Sequence, residues 1–297
     1  MTARTWTGAQ NSSARDPNNW TPTGIPQPGD TLTMTDGTMD IRDQDLAGNT
    51  LLIGQQGVST AAATLNLSGH ANVSLDMTTT GDRVTVNVKG SDTLNARNEA
   101  GTGGQGLTVN LAQHATLKGT FALAFGGVDV EGGAGSRFVN DGSSGFAGSG
   151  SKLGVSVQGH GDLLVSSAQS AGGLLELGSS VSGGQTVTVD GDPFRLAVTH
   201  LLIDQPDKFK GAITLQLFGE VDLRGLANVD SYTYQNDLLS LYHGGHVTDV
   251  LRLAAPPAPS GVPSEFNYDV AVFRTATGIA IDRGTTPPGS TLLPIHT

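Results

Sequence analysis

Apolar and polar residues alternate along much of this chain with the two-residue period of strands that face a core on one side. The clearest instance is Thr64-Leu65-Asn66-Leu67, which recurs as Thr85-Val86-Asn87-Val88 and as Thr108-Val109-Asn110-Leu111, at offsets of 21 and 23 residues. Each copy runs through a small or polar turn into a second alternating segment, reaching Val73 after Gly69-His70, Leu94 after Gly90-Ser91 and Leu117 after Gln113-His114. A fainter copy at Val128-Asp129-Val130, a fuller one at Val155-Ser156-Val157-Gln158 and another at Leu175-Glu176-Leu177 extend the register. A single coil cannot bury its apolar side chains except against the coils above and below, so short strands returning about every twenty residues predict a solenoid. The fold class expected is all-β, a right-handed parallel β-helix with coils of 20–23 residues over 37–225.

In this register Leu65, Leu67, Val86, Val88, Val109 and Leu111 point inward, while Thr64, Asn66, Thr85, Asn87, Thr108 and Asn110 form an outward face. Stacked asparagines can bond to one another along the axis and do no more than hold coils together. The same flat array also presents evenly spaced donors and acceptors to a glycan, a cell-surface polymer or a second copy of the chain. Both readings stay open at this stage.

The two ends depart from the repeat. Residues 1–36 contain Thr5-Trp6-Thr7-Gly8, Asn18-Asn19-Trp20 and Gly24-Ile25-Pro26-Gln27-Pro28-Gly29-Asp30, followed by the alternating Thr31-Leu32-Thr33-Met34. Two tryptophans covering an open core, prolines that block a further strand and a Gly-Asp turn into the strand predict an aromatic N-terminal cap with the first coil. The order W-x-G, N-W, G-x-P-x-x-G-D resembles the first coil of β-helical passenger domains of autotransporters and related secreted bacterial proteins. That resemblance covers about the first tenth of the chain. It implies extracellular or surface life and a structural role for the segment.

Beyond about residue 190 the alternation loosens, through Phe194, Leu196 and Val198, then Ile213, Leu215 and Leu217, then Val221 and Leu223. Tyrosines gather at Tyr232, Tyr234 and Tyr242, a Pro-rich loop follows Val250-Leu251-Arg252-Leu253, and strands are expected from Tyr268 to Phe273 and from Gly278 to Ile281. Residues 226–297 therefore predict a second cap built on a small antiparallel element.

Composition narrows function by exclusion. Only 14% of the 297 residues are charged, and 27 acidic against 16 basic residues give a net charge of −11, which offers no basic stripe to nucleic acid. With no cysteine there are no disulfides, thiolate metal sites or cysteine nucleophile. No apolar run approaches membrane-spanning length, and Met1 to Trp6 does not read as the start of a signal peptide, so export without one is the expectation.

Candidate chemistry is thin. Asp36, Asp40, Asp43 and Asp45 form the densest carboxylate cluster and could hold a hard cation such as calcium, or stand as a solvated acidic edge. His243 and His246 flank Gly244-Gly245 as a close imidazole pair with no third ligand fixed by spacing. His70, His114 and His160 share a coil position, but Ser91 interrupts them, leaving the first two about 10 Å apart and unable to share a metal. The runs Gly103-Gly104-Gln105-Gly106-Leu107-Thr108 and Gly132-Gly133-Ala134-Gly135-Ser136-Arg137 imitate the calcium-binding nonapeptide, yet Thr108 and Arg137 occupy its Asp position. No cofactor follows from these motifs. The function expected is a non-catalytic surface module that adheres, binds glycan or self-assembles; the alternative is a polysaccharide-degrading lyase or hydrolase on a β-helix scaffold.

Overall fold

The alternating segments become strands because Thr, Val, Leu and Ile fit a pleated, half-buried surface, and stacking them in parallel buries every second side chain. The computed structural model describes residues 2–43, 45–46, 48–53, 62–69, 72–79, 84–90, 92–98, 106–121, 127–148, 150–167, 172–257, 260–262, 269–286 and 289–296. Helical structure among them is confined to two short 3-10 turns, Pro17–Asn19 and Pro206–Lys208. The chain is a parallel β-solenoid.

Three sheets run along it. Sheet A begins with Trp20–Thr21 and Ala3–Trp6 and continues through Thr31–Met34 to Ser156–Gln158. Sheet B carries nine parallel strands, Gly37–Arg42, Ala63–Ser68, Val84–Val88, Leu107–Leu111, Val128–Gly132, Ser151–Leu153, Leu174–Leu177, Thr199–Ile203 and Gly219–Arg224. Sheet C starts at Ser143–Ala147 and passes through Asp162–Ser166, Thr186–Asp190 and Ala212–Leu215. Leu65, Val86 and Val109 are register partners, as are Leu67, Val88 and Leu111, and all six are buried as the repeat predicts.

Sheet C was not expected, and its entry is marked by a buried polar corner. Asn140 and Gln185 are both buried, with Asn140 Nδ2 donating to Gln185 Oε1 at 3.0 Å and Gln185 Nε2 donating to the Asn140 and Gln158 carbonyls at 2.8 and 2.9 Å. The Ser144 hydroxyl donates to Asn140 Oδ1 at 3.0 Å, so the corner's amides are satisfied.

Two expectations are corrected. The segment at Val155 to Gln158 does not continue the sheet B register: Ser156–Gln158 pairs with Arg137–Val139 on sheet A, while Ser151–Leu153 supplies the sheet B strand. Leu153, Val155 and Val157 are all buried, so the chain rounds a corner of the lumen without breaking its alternation, which hides the corner from a periodicity argument. Phe194 and Leu196 are not core residues but are 68% and 61% exposed. Asp192 Oδ1 accepts the N–H groups of Phe194 and Arg195, Leu196 takes a left-handed φ of 56°, and the inward strand starts only at Thr199. The expectations at His70, Ser91, Gly103 to Gln105, Ala258 to Pro259 and Tyr268 lie outside the described residues; the strand expected there is Ala271–Arg274.

The N-terminal cap is built by the motif residues themselves. Trp6 and Trp20 are buried edge-to-face with ring centroids 5.2 Å apart, and Trp20 Nε1 donates to the Ala14 carbonyl at 2.9 Å. Gly8 has φ 59°, and a Cβ there would sit 3.3 Å from Trp6 Nε1. Buried Asn19 accepts from the Gln10 and Asn11 N–H groups and donates to Asn11 Oδ1 and the Ser13 carbonyl. This holds Ser12 to Ala14 against the first strand of sheet B, where the Asp40 N–H donates to the Ser12 carbonyl and the Ala14 N–H to the Asp40 carbonyl. Asp30 closes the cap by accepting from the Thr2 N–H at 2.7 Å, Arg4 Nε at 3.0 Å and the Gln27 N–H at 3.1 Å.

At the other end the strands turn antiparallel. Gly278–Arg283 pairs antiparallel with Gly219–Arg224 and continues sheet B through Ala271–Arg274 to the two-residue Thr291–Leu292. His246–Ala254 lies parallel to Ala212–Leu215 on sheet C and leads into the antiparallel Leu238–His243 and Ser231–Gln235. The Tyr232 N–H donates to the Pro294 carbonyl and the His296 N–H to the Tyr232 carbonyl, so the chain's last residues tie the final strand down.

Candidate functional site

The outer face of sheet B is the candidate site, because the nine parallel strands place its outward side chains in straight columns. One column runs Asp40, Asn66, Asn87, Asn110 and Glu131, and the next runs Thr38, Thr64, Thr85, Thr108, Asp129, Lys152 and Glu176. The six expected residues thus share one face, half-buried except for exposed Asn110.

The asparagines form a hydrogen-bonded ladder. Asn66 Nδ2 donates to Asp40 Oδ1, Asn87 Nδ2 to Asn66 Oδ1 and Asn110 Nδ2 to Asn87 Oδ1, each at 2.8 Å. Asp40 is the terminal acceptor and also takes the Ser12 hydroxyl. Burial works to raise its pKa, but the bonds from Ser12 and Asn66 outweigh that and lower it. Each ladder amide uses one N–H internally, leaving the other N–H and carbonyl lone pairs available to solvent or ligand.

Beyond Asn110 the same columns become charged. Lys152 Nζ lies 2.9 Å from Glu176 Oε1, and Arg224 NH1 lies 3.3 Å from Glu176 Oε2 and 2.9 Å from Asp204 Oδ1. The Lys152 hydrogen bond lowers the Glu176 pKa, and Glu176 in turn raises that of Lys152. Asp129 is raised by burial and by neighbouring Glu131, and Asp222 is raised by burial. Asp222 accepts the Thr277 hydroxyl on one oxygen, while its buried Oδ1 has no partner among the described residues. At the cap joint His200 Nδ1 stands 3.6 Å from Glu220 Oε1, Glu220 is the register partner of fully buried Asp282, and both Thr285 N–H and hydroxyl donate to Asp282. A shallow depression of about 450 Å³ opens on this half between Asn110, Glu131 and Lys152, floored by Gly132, Gly133 and Gly154.

This charged half escaped the repeat argument, although the signal is present in the chain. Val128-Asp129-Val130, Leu175-Glu176-Leu177 and Val221-Asp222-Leu223 each place a charge at the outward position that Asn or Thr holds in the earlier coils.

The metal candidates are dispersed. Asp40 heads the ladder, Asp45 is paired with Arg15 Nε and accepts the Arg42 N–H, and Asp36 and Asp43 sit in separate turns. His243 and His246 face each other across a hairpin whose Gly244 and Gly245 have φ of 57° and 80°, and His243 Nδ1 lies 3.5 Å from Asp230. Among the described residues no three His, Asp or Glu side chains are placed to hold a metal ion.

No protein-family model, curated protein or solved structure matches the chain. Its class is that of a capped parallel β-solenoid, and its functional reading rests on this face.

Proposed function

We propose that this protein is a non-catalytic extracellular or cell-surface module that binds an extended, uncharged glycan along the outer face of sheet B. The observation that carries this reading is the row of polar outward side chains that runs unbroken from Thr38 to Glu176 over seven of the nine parallel strands, repeating at the strand spacing of about 4.8 Å. A periodic polymer can lie on such a row and meet donors and acceptors without a deep pocket. The charge on the half of the face beyond Asn110 favours an uncharged ligand: there Lys152 and Arg224 are engaged by Glu176 and Asp204, whereas Asp129, Glu131 and Asp222 add negative charge that repels acidic polymers.

Two features weigh against the alternatives. On the outer face of the nine parallel strands the two carboxylates with raised pKa values, Asp129 and Asp222, stand four strands apart, about 19 Å, against the roughly 5–9.5 Å over which paired carboxylates cleave glycosidic bonds. The terminal strands are blunted by Ser12 to Ala14, by Trp20–Thr21 and by Pro294 to His296, which favours a single particle over an end-to-end fibre.

The test is retention of the purified protein on immobilised neutral and acidic polysaccharides, with the triple variant Thr85→Lys, Asn87→Lys, Asn110→Lys beside it. Retention on a neutral polymer that the variant loses, with its β circular dichroism intact, is the expected result. Equal retention of the variant, or preference for acidic polymers, overturns the reading.

A further inference from the structure

The C-terminal cap holds a groove of about 950 Å³, near the upper end of the range of small-ligand sites. Tyr232, Tyr234 and Phe273 give it aromatic surface, and Gln235, Asp269 and His296 give it polar groups. Its walls are fixed before any ligand arrives: the Tyr232 backbone bonds to the chain's last residues, and the His296 ring stacks on Tyr242 at 4.1 Å and lies 3.4 Å from the Ser231 hydroxyl. Buried Arg283 lies behind the groove, donates to the Leu215 carbonyl and interacts electrostatically with Asp269. Arg283 thereby offsets part of the Asp269 charge from within the protein, which lessens the groove's preference for a cationic ligand.

The distribution of aromatic side chains separates this groove from sheet B. Trp6 and Trp20 are buried in the opposite cap, none of the nine parallel strands of sheet B carries an aromatic residue, and the chain's four tyrosines all fall between 232 and 268. A sugar ring has an apolar C–H face that packs on an aromatic ring and a rim of hydroxyls that needs placed donors and acceptors. Tyrosine beside glutamine, aspartate and histidine supplies both.

We infer that the cap groove is a second, independent site that takes one or two pyranose rings of a neutral saccharide, stacked on Tyr234 and hydrogen-bonded by Gln235, Asp269 and His296. This site does not depend on the sheet B reading, and the two fail separately. The experiment is saturation-transfer NMR on the whole protein with cellobiose, maltose and N,N′-diacetylchitobiose as probes. Wild type is expected to show transfer to at least one sugar. Affinity should fall about tenfold or more in Tyr234→Ala and in Gln235→Ala, whose exposed side chain is not needed for folding, and stay within about twofold in Tyr234→Phe. The sheet B triple lysine variant should bind these disaccharides as wild type does. No transfer from any of the three sugars, unchanged affinity in both alanine variants, or loss of binding only in the sheet B variant would each overturn the assignment.

Discussion

Asn140 and Gln185, 45 residues apart in the chain, exchange two hydrogen bonds in the buried corner where sheet C begins, at 3.0 and 2.8 Å. Strand ladders cannot satisfy the backbone at a corner, so side-chain amides take the carbonyls of Asn140, Gln158 and Asp162 instead. Gln185→Ala leaves the Asn140 carbonyl and one Asn140 Nδ2 hydrogen without a partner in a dry environment. We predict a loss of about 2–4 kcal/mol in urea unfolding, with Gln185→Leu no better because it restores volume without donors. A variant melting with wild type would show that water replaces the amide.

The two faces of a sheet B strand should respond in opposite ways. Val109 is buried between Val86 and Val130, so Val109→Asp places an unpaired charge in the lumen and should cost about 4 kcal/mol or more. Asn87 gives one ladder bond and receives one at a half-buried surface, so Asn87→Ala should cost about 1 kcal/mol. Thermal melts of the two variants settle the register, since an exchanged order of effects would require the strand to face the other way.

Asp30 predicts the acid behaviour of the N-terminal cap. The Gln27 and Thr2 N–H groups, against some loss of solvation and with help from Arg4, hold its pKa at about 2. A depressed folded pKa contributes stability that is present above the unfolded value, about 3.9, and lost as pH falls through the folded one. Asp30→Asn removes that dependence, so the difference in stability between wild type and variant should shrink from pH 5 to about pH 2. A constant difference across that range would assign Asp30 no role as an ion.

How far the chain discloses this architecture depends on what each residue answers to. Leu65, Val86 and Val109 obey one rule, alternation toward a lumen, and that rule is legible at fixed offsets. Leu153, Val155 and Val157 obey the same rule while the backbone changes sheets, so parity alone cannot show the corner. Phe194 and Leu196 keep the alternation by accident inside a turn organised by Asp192. The Asn ladder could be read because identical residues recur, whereas the charged half of the same face could not, since Asp129, Lys152 and Glu176 share a column and not a residue type. The cap groove joins Tyr232 to Ile295 and His296, a pairing that no local spacing encodes.

Removing divalent cations should leave the fold unchanged. Asp40 accepts from Ser12 and Asn66, and Asp45 is paired with Arg15, so two of the four carboxylates that could have gathered a cation already have partners in the protein. Circular dichroism melts with excess chelator and with added calcium should superimpose. A fall in β signal on chelation would show a structural ion that these residues do not account for.

The joint between solenoid and C-terminal cap should weaken as pH rises past neutrality. Glu220 lies opposite buried Asp282 across the antiparallel strands, and like charges in that relation destabilise a sheet unless a cation stands near. His200, the register partner of Glu220 on the other side, is the nearest titratable cation. Its pKa is raised by the Glu220 hydrogen bond, against burial, with Asp282 and Asp222 adding to the effect. A raised folded pKa means stability that is complete below the unfolded value of about 6.5 and is lost as pH climbs through the folded value. Hydrogen exchange of Gly278–Arg283 should therefore quicken above neutral pH by more than base catalysis alone explains. In Glu220→Gln both the excess charge and the main cause of the raised pKa are gone, so most of the extra acceleration should vanish while exchange in Val84–Val88 stays as in wild type. Equal pH dependence in the two proteins would leave His200 without a part in holding the cap.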